Sequence, residues 1–402
     1  MDNSPQWIWQ RADWPHFRLE LGQIMPFLSA ARRAQGMLLG KAQAIGLQQL
    51  PTAENAIWID EALATAAIEG ENLNLTALRS SVARRLGMEA VAVPPGPIVR
   101  HVEGLLDCMA DASDNWQQEL TLETLFGWQA ALFPGGFTSI HRVKVGALRD
   151  EPIAILSGPI GRERVHYQAP EPERLPAGMA LFLDWFEASR HPVPAASVAN
   201  EVVTELAPFS DGLLRAALAH FWFETLHPFE DGNGRVGRAL VDRALAQDIK
   251  QGTKLFGLAR QLMLSRDEYY RQLERASKGS MDMTAWCQWF LEQFRLACEH
   301  SSTVLDRALQ KAQFWAVFAD IGLTPAQRKC INLLLDAGPQ GFVGGMSTAK
   351  YASITRVSSA TASRDLSGLQ QAGLLLRSGQ GKSTRYEIDW ACLGVIQLPP
   401  SD

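Results

Sequence analysis

The chain has few cysteines, and no two of them lie close together. Five are spread over 402 residues, at positions 108, 287, 298, 330 and 392, whereas disulfide frameworks and zinc sites need closely spaced pairs. The sequence therefore predicts neither, and it suits a reducing compartment such as the cytoplasm. A basic leader is missing from residues 1–4, and apolar runs such as 179–182 are too short to cross a bilayer. We accordingly expect no secretion signal and no membrane helix.

Excess charge of one sign is absent from the chain as a whole, but not from its C-terminal part. The formal net charge is −5, which gives no sign of a protein devoted wholly to nucleic acid. Residues 325–389 hold eight Lys/Arg and four Asp/Glu, a local balance of +4 against −9 for the rest. Such an asymmetry is typical of a module with its own partner. Length also favours two or three domains.

The chain does contain an unusual stretch at residues 227–238, which combines a histidine, a carboxylate, small turn-forming residues and two arginines. Residues 213–226 predict an apolar helix that ends at His227, because a residue before proline is pushed out of the α region. A second helix is predicted over 235–246, with residues 232–234 as its first turn. Bare N–H groups at such a helix start bind anions, and glycines allow a phosphate to approach them closely.

This stretch resembles the signature of the Fic family, H-x-F-x-(D/E)-G-N-G-R-x-x-R, at every defined position, with Asp231 at the acidic place. The resemblance implies a fold of α-helices and transfer of a nucleotide monophosphate, usually AMP from ATP, to a protein hydroxyl. Relatives that transfer a phosphoryl group carry a lysine where this chain has Gly234, so the sequence favours AMP transfer. Recognition of the base lies outside the signature, which leaves other nucleotide donors open.

Carried over position by position, the resemblance implies a role for each residue of the stretch. His227 is the expected general base, taking the proton from a Ser, Thr or Tyr hydroxyl of the target. Asp231 is expected to hold Mg²⁺ between the α- and β-phosphates. Phe229 points the other way and is expected to anchor the loop in the core.

The same carry-over predicts how ATP is bound. The backbone of Gly232, Asn233 and Gly234 would cradle the phosphates. Arg235 and Arg238 share one helix face, so both can bind the β- and γ-phosphates.

A second short motif ends a helix predicted over residues 54–70. Thr65 and Glu69, followed by Gly70, resemble the inhibitory-helix motif of Fic proteins, (S/T)-x-x-x-E-(G/N). Alone, this pattern is common and is typical of an exposed glutamate before a C-terminal glycine. Because it precedes a complete Fic signature, it predicts that Glu69 inhibits the enzyme by pairing with Arg238.

Residues 142–169 are the only convincing β region before the C-terminal part, with strand-like runs at 143–145, 153–156 and 164–167. The last two resemble the flap of Fic enzymes, a hairpin that lies over the active site and aligns the target's backbone as an added strand. His166 on this hairpin is either a second base or a packing residue at the substrate's edge, and the latter is favoured. His220 is interpreted as a core residue, because no third metal ligand is near it.

Three further segments have simpler interpretations. The aromatic residues of segment 7–17 predict a segment folded onto the core rather than a disordered tail. Arg79, Arg84 and Arg85 are interpreted as a solvated helix face. Tyr269 and Tyr270 lie where the resemblance places a helix end beside the nucleotide's base, and the sequence leaves that contact open.

From residue 325 onward, the predicted order is helix, helix, helix, hairpin, over 326–336, 347–353, 358–371 and 374–388. This order resembles the winged helix-turn-helix family. Arg356, Arg364, Lys382 and Arg385 would suit the phosphates of DNA. Winged helices also dock proteins, so DNA is one of two candidate partners.

Together these features predict a mainly α-helical protein in three parts. Residues 1–95 form a helical region with the inhibitory helix, residues 96–312 a Fic catalytic domain with a helical bundle and a flap, and residues 313–402 a winged helix-turn-helix domain. The proline-rich run 93–97 marks the first boundary.

The leading function is AMP transfer from ATP, with Mg²⁺, to a target protein, autoinhibited by Glu69. Two alternatives stay open: removal of AMP from a target with Glu69 positioning water, and a DNA-binding regulator whose Fic part senses nucleotide. The sequence does not fix the target, its modified residue or the oligomeric state of the chain. A homodimer is among the states that stay open.

Overall fold

A computed structural model describes residues 6–45, 50–88, 98–138, 142–159, 161–190, 211–252, 255–338, 342 and 344–393. Within these ranges the chain is mainly α-helical, as predicted, with two small antiparallel sheets. It divides into two compact units, Met1–Gly40 with Glu54–Ser301, and Lys41–Ala53 with Ser302–Asp402. Among the described helices, none has both the length and the apolarity that a membrane crossing requires. The predicted run 93–97 and residues 1–4 lie outside the described residues.

The helices up to residue 317 run in chain order, interrupted by one hairpin. They are α1 (Leu21–Ile45), α2 (Leu50–Ile68), α3 (Leu75–Arg85), α4 (Arg100–Asp114), α5 (Leu122–Leu132), α6 (Leu175–Ala188), α7 (Gly212–Leu226), α8 (Asn233–Ile249), α9 (Leu258–Leu264), α10 (Arg266–Ser277) and α11 (Thr284–Val317). The hairpin between α5 and α6 joins β1 (Ala154–Ser157) to β2 (Arg164–Gln168).

The core of the first unit is organised around α7, which is buried on nearly every side. Its uniformly apolar sequence is that of a helix surrounded by protein. The ring of Trp222 lies 5.5 Å from Phe17 and 5.2 Å from Trp185 of α6. Burying a large apolar side chain of this kind contributes about 1.5–3 kcal/mol. Helix α7 is thereby a rigid support for the residue that follows it.

The aromatic N-terminal segment is folded onto the first unit, as predicted. Trp7 packs edge-on against Tyr167 with 5.4 Å between ring centroids. Trp9 Nε1–H donates to the Gln168 carbonyl at 2.8 Å. Tyr167 in turn donates its hydroxyl hydrogen to the Thr225 carbonyl of α7. These contacts brace β2 between the N-terminal segment and the central helix.

The predicted hairpin of 153–156 and 164–167 is confirmed, but its register contains a β-bulge. Leu156 pairs with Val165, and Ile155 pairs with Tyr167, so the register skips His166. A bulge of this kind redirects side chains and is frequent next to active sites.

The strand predicted at 143–145 is wrong: Val143 N–H donates to the Gly136 carbonyl of a turn at 2.9 Å, and the backbone of Lys144 bonds to side chains. Lys144 N–H donates to Glu230 Oε2 at 2.8 Å, and Gln129 Nε2–H donates to the Lys144 carbonyl at 3.2 Å. Gln129 Oε1 also accepts from Gly146 N–H at 2.8 Å. The segment is extended and partly buried, which explains its strand-like pattern.

The solvated helix face predicted for Arg79, Arg84 and Arg85 agrees with the exposed side chains of Arg79 and Arg84, but it is wrong for Arg85. Arg85 Nη2 lies 3.0 Å from Glu103 Oε2 and 2.6 Å from Asp107 Oδ1. Arg84 Nη1 lies 3.5 Å from Glu103 Oε1. These arginines connect α3 to the acidic side of α4.

The second unit contains the predicted order of three helices and a hairpin. Its elements after residue 317 are α12 (Pro325–Ala337), α13 (Thr348–Thr355), α14 (Ser359–Gln371), β3 (Leu375–Ser378) and β4 (Arg385–Ile388). Ser358 caps α14, with its Oγ accepting from Thr361 N–H at 3.1 Å. Ile331, Leu366 and Tyr386 belong to a buried cluster that gives this unit its own core.

Candidate active site

Residues 227–238 form a tight loop between α7 and α8. His227 ends α7 in the left-handed conformation, with φ 48°. Gly232, with φ 90°, precedes the first residue of α8, so the predicted turn at 232–234 is confirmed as a helix start. A left-handed residue other than glycine persists only where its surroundings hold it.

The side chain of Asn233 closes this loop on itself. Its Oδ1 accepts from Phe229 N–H at 2.9 Å, and its Nδ2–H donates to the Phe229 carbonyl at 2.8 Å. The Phe229 ring is fully buried, 6.2 Å from Phe126 and 6.1 Å from Phe223. The predicted anchor is therefore present, and Asn233 holds the backbone on either side of it.

Arg149, which the sequence did not single out, fixes the turn at His227. Its Nε–H donates to the His227 carbonyl at 2.8 Å, and its backbone N–H donates to the Pro228 carbonyl at 2.9 Å. The rest of the guanidinium donates to the carbonyls of Glu151 and Pro170, one on each side of the hairpin. One buried side chain thus ties the hairpin's base to the left-handed histidine.

A cavity of about 670 Å³ brings together side chains from α2, the hairpin, α7, α8 and α10. Within the described part of the chain, four of the predicted site residues line it: Glu69, His227, Gly234 and Arg238. The other four, Asp231, Gly232, Asn233 and Arg235, lie on the adjoining loop and helix start. Tyr269 and Tyr270 line it too, and their contact with a nucleotide base stays a prediction.

Glu69 occupies the space directly over the start of α8. Arg238 Nη2–H donates to Glu69 Oε1 at 2.7 Å, while its Nε–H donates to Thr65 Oγ1 at 2.6 Å. A Cβ added at Gly234 would lie 2.2 Å from Glu69 Oε1, so only glycine leaves room for this carboxylate. The chain's own anion fills the place where N–H groups and an arginine converge.

Glu71 forms a second pair of the same kind. Arg235 Nη1 lies 2.8 Å from Glu71 Oε1 and its Nη2 lies 3.6 Å from Asp231 Oδ1. The guanidinium also stacks over Phe133, 4.8 Å from the ring centroid. Glu69 and Glu71 lie two residues apart and their arginine partners lie three apart, so each carboxylate meets a different guanidinium.

Helix α10 holds the end of α2. The Ile68 carbonyl accepts from Arg266 Nε–H and Nη2–H at 3.0 and 2.8 Å, and from Tyr270 O–H at 3.3 Å. The residue after this carbonyl is Glu69, so these bonds set the direction in which its side chain leaves the helix.

Two family comparisons cover much of the first unit. Residues 119–245 match the Fic/DOC family, and residues 7–88 match a domain of unknown function, DUF4172. The chain contains a Fic/DOC domain. A probable protein adenylyltransferase from Aquifex aeolicus is 34% identical to it over 71 residues. That match spans 18% of this chain and 20% of the relative.

One solved Fic structure is similar to the chain in fold, and a second aligns with part of it. A Fic family protein from Desulfovibrio desulfuricans aligns over 91% of this chain and 95% of that chain, with a TM-score of 0.51 and 19% identity. A Fic domain containing signaling protein from Bacteroides thetaiotaomicron aligns over 71% of this chain and 97% of that chain, with a TM-score of 0.43 and 17% identity.

The histidine of the Fic loop is uncharged in its surroundings. Burial lowers the pKa of His227 to about 4, so the imidazole is neutral at pH 7 and can accept a proton. Its Nδ1 lies 3.9 Å from Glu224 Oε2, one helical turn earlier in α7. Burial and the nearby charge of Glu69 raise the pKa of Glu224 to about 8. Nothing in the sequence marks Glu224, which lies within an apolar helix.

His220, which is also on α7, is a core residue of the Fic fold, as predicted. It is fully buried, and its Nε2 lies 2.7 Å from the Tyr269 hydroxyl. Burial lowers the pKa of His220 to about 3.

The acidic residue of the Fic loop suits a magnesium ion. Asp231 Oδ1 accepts from Gly232 N–H at 2.6 Å, and the side chain is 39% exposed. The described residues contain no cluster of three or more His, Cys, Asp or Glu side chains that could hold a metal by themselves. Mg²⁺ usually binds through one or two carboxylates together with substrate phosphates. A single exposed carboxylate beside an anion site fits that manner of binding.

Proposed function

We propose that this Fic protein transfers AMP from ATP to a Ser, Thr or Tyr hydroxyl of a target protein, and that Glu69 restrains this activity. One observation carries the proposal: the Glu69 carboxylate lies on Arg238 and over Gly234, in the cavity that His227 also lines. A helix start and a buried arginine that attract one carboxylate attract a triphosphate more strongly. ATP and Glu69 therefore compete for the same guanidinium.

In the proposed reaction, the target hydroxyl attacks the α-phosphorus of ATP, and an O–P bond forms as the bond to pyrophosphate breaks. His227 takes the hydroxyl proton, a role that its neutral, buried imidazole supports. The N–H groups of residues 232–234 and the guanidinium groups of Arg235 and Arg238 bind the phosphates. Asp231 would hold Mg²⁺, which when bound neutralises charge on the departing pyrophosphate.

The hairpin is suited to receive the target. Ile155, Leu156 and Val165 are 41–51% exposed, although all three are apolar. An extended segment of the target can add to the edge of β1 and cover these side chains. This arrangement would bring a hydroxyl of the target toward the cavity.

Intact-mass measurement tests the donor and the transferred group. The full-length Glu69→Gly protein is incubated with each nucleoside triphosphate, Mg²⁺ and a cell lysate. We expect proteins that gain the mass of AMP with ATP as the donor. A phosphate-sized increase, or labelling by a different nucleotide alone, would contradict AMP transfer from ATP.

Removal of AMP from a modified target is a second candidate function. It is favoured by the Glu69 side chain, which is 28% exposed within the cavity and can orient a water molecule. The test incubates the wild-type chain with an AMP-modified target in the absence of ATP. Release of AMP that is lost in Glu69→Gln supports this function, and intact target after long incubation excludes it.

We also propose that residues 325–388 form a winged helix-turn-helix module. The order of α12, α13, α14 and the β3–β4 hairpin supports it, as do the exposed side chains of Arg356 and Arg364. If its partner is DNA, the full chain shifts the mobility of duplex DNA and the affinity falls steeply with salt. Retention of a protein without any salt-sensitive DNA shift would favour protein docking.

A further inference from the structure

Three side chains at the cavity form a hydrogen-bonded chain that the AMP-transfer reaction does not use. Ser157 Oγ lies 2.5 Å from His166 Nε2, and His166 Nδ1 lies 3.0 Å from Glu274 Oε2. Ser157 ends β1, His166 belongs to β2, and Glu274 belongs to α10, yet all three line the cavity of His227. Hydroxyl, imidazole and carboxylate in this order are the arrangement that activates a serine nucleophile.

The carboxylate at the end of this chain fixes the direction of proton transfer. Hydrogen bonds from Lys278 and His166, and one from Arg164, lower the pKa of Glu274 to about 2, so it accepts hydrogen bonds at neutral pH. The proton of a neutral His166 therefore lies on Nδ1, and Nε2 is the acceptor that faces Ser157. The Ser157 hydroxyl thus has a base beside it in the correct tautomer.

The β-bulge supports a specific role for His166. The register of the hairpin skips this residue, so it has no partner opposite it on β1. Bulges redirect one side chain without breaking the hairpin, and here the redirected imidazole bridges Ser157 and Glu274. The imidazole of His166 is not required to connect the hairpin to α10, because Arg164 Nη2 already lies 3.0 Å from Glu274 Oε1.

We propose that Ser157 is an acceptor of AMP within the chain itself, activated by His166 and Glu274. The inference rests on the proposed AMP transfer, since ATP in the cavity supplies the group. Ser157 Oγ attacks the α-phosphorus, a new Oγ–P bond forms, the bond to pyrophosphate breaks, and the hydroxyl proton passes to His166 Nε2. The product is a phosphodiester on β1, the strand along which a target would align, so self-modification changes the surface offered to targets.

Peptide mapping by mass spectrometry tests the proposal. The full-length Glu69→Gly protein is incubated with ATP and Mg²⁺ without other proteins, and the position of any AMP adduct is determined. We expect the adduct on Ser157 and its loss in Ser157→Ala. Loss of the base in His166→Gln lowers the rate of this modification by about 10²- to 10⁴-fold. Ser353→Ala, at an exposed serine of the second unit, is the matched control and leaves it unchanged.

The outcomes separate this inference from the proposed function. If the Glu69→Gly protein labels lysate proteins while its own Ser157 stays unmodified, self-modification is excluded and AMP transfer stands. If nothing is labelled, both fail together. An adduct on Ser157 that depends on His227 but not on His166 overturns the relay. A serine-reactive fluorophosphonate, which needs no ATP, gives an independent readout: we expect it to modify Ser157 in the wild-type chain and not in His166→Gln, and equal reaction would contradict activation by His166.

Discussion

The Glu69 carboxylate and the Arg238 guanidinium pair at 2.7 Å, although 169 residues separate them in the sequence. Burial opposes the charge of Arg238, but the adjacent Glu69 carboxylate raises the pKa of the guanidinium above its usual range. The arginine side chain is only 6% exposed, so it needs an anion at all times. A ligand that displaces the Glu69 carboxylate from Arg238 must therefore carry negative charge.

Glu69→Gly is expected to raise AMP labelling of lysate proteins well above the wild-type level. Breaking a buried ion pair normally costs several kcal/mol, but here a triphosphate can take the place of the lost carboxylate. Labelled ATP followed by gel autoradiography measures the effect. Glu292→Gln, which removes a surface partner of Arg295, is the control and leaves labelling at the wild-type level. Equal labelling by Glu69→Gly and wild type would refute autoinhibition.

Glu71→Gln is expected to activate the protein less than Glu69→Gly does. Its partner Arg235 is 4% exposed, but Glu71 itself is 42% exposed, and half-exposed pairs contribute only about 0–1 kcal/mol. The expected gain in labelling at limiting ATP is therefore about fivefold or less, which corresponds to that energy. Activation as large as that of Glu69→Gly would show that Glu71 is an equal part of the inhibitory contact.

His227→Ala is expected to abolish transfer and to leave nucleotide binding nearly intact. The base acts on the acceptor hydroxyl, and the phosphates are bound elsewhere, so the rate falls by about 10²- to 10⁴-fold. His227→Asn is the matched variant, because asparagine tolerates the left-handed conformation at this position. Turnover is compared with ATP affinity from calorimetry. Activity retained by either variant would remove His227 from the base role.

Asp231→Asn is expected to suppress transfer even at saturating Mg²⁺. Asparagine keeps an oxygen that can accept from Gly232 N–H, as Oδ1 does now, but it loses the charge that binds the ion. Titration of Mg²⁺ against initial rate, in the Glu69→Gly background, measures the effect. A wild-type magnesium response in Asp231→Asn would place the metal elsewhere.

Acid is expected to destabilise the protein partly through His227. Burial lowers its folded-state pKa from 6.5 to about 4, so below pH 6.5 the unfolded chain binds a proton that the folded chain excludes. The stabilisation is complete above pH 6.5 and is lost as the pH falls toward 4. Between pH 6.5 and pH 4, the free energy of unfolding should fall by about 3 kcal/mol more for the wild type than for His227→Asn. Urea denaturation at a series of pH values measures this difference. Parallel stability curves for the two proteins would contradict this burial effect.

The part of the site that sequence could predict is the part whose causes are local. The proline after His227 ends α7, and the glycines at 232 and 234 allow a tight helix start. Arg149 could not be predicted in the same way, because it acts on backbone carbonyls 78 residues away along the chain. Every residue has a backbone carbonyl, so the sequence does not indicate which carbonyls accept the hydrogen bonds of Arg149.

The two wrong interpretations have a common physical origin. A pattern of apolar or charged residues indicates the kind of interaction that a segment makes, but not which neighbouring residue is the partner. The backbone of Lys144 bonds to the side chains of Gln129 and Glu230 rather than to a neighbouring strand. Arg85 needed negative charge and found Glu103 and Asp107 rather than water.

The hydrogen bonds of Arg149 have a consequence for changing which proteins are modified. They fasten both ends of the hairpin to the turn at His227, so movement of the hairpin's base displaces the histidine as well. The turn between β1 and β2 is not fastened in this way by Arg149. A library of variants with altered specificity is therefore best built in that turn. New sequences there can select new targets, while His227 keeps its position for proton transfer.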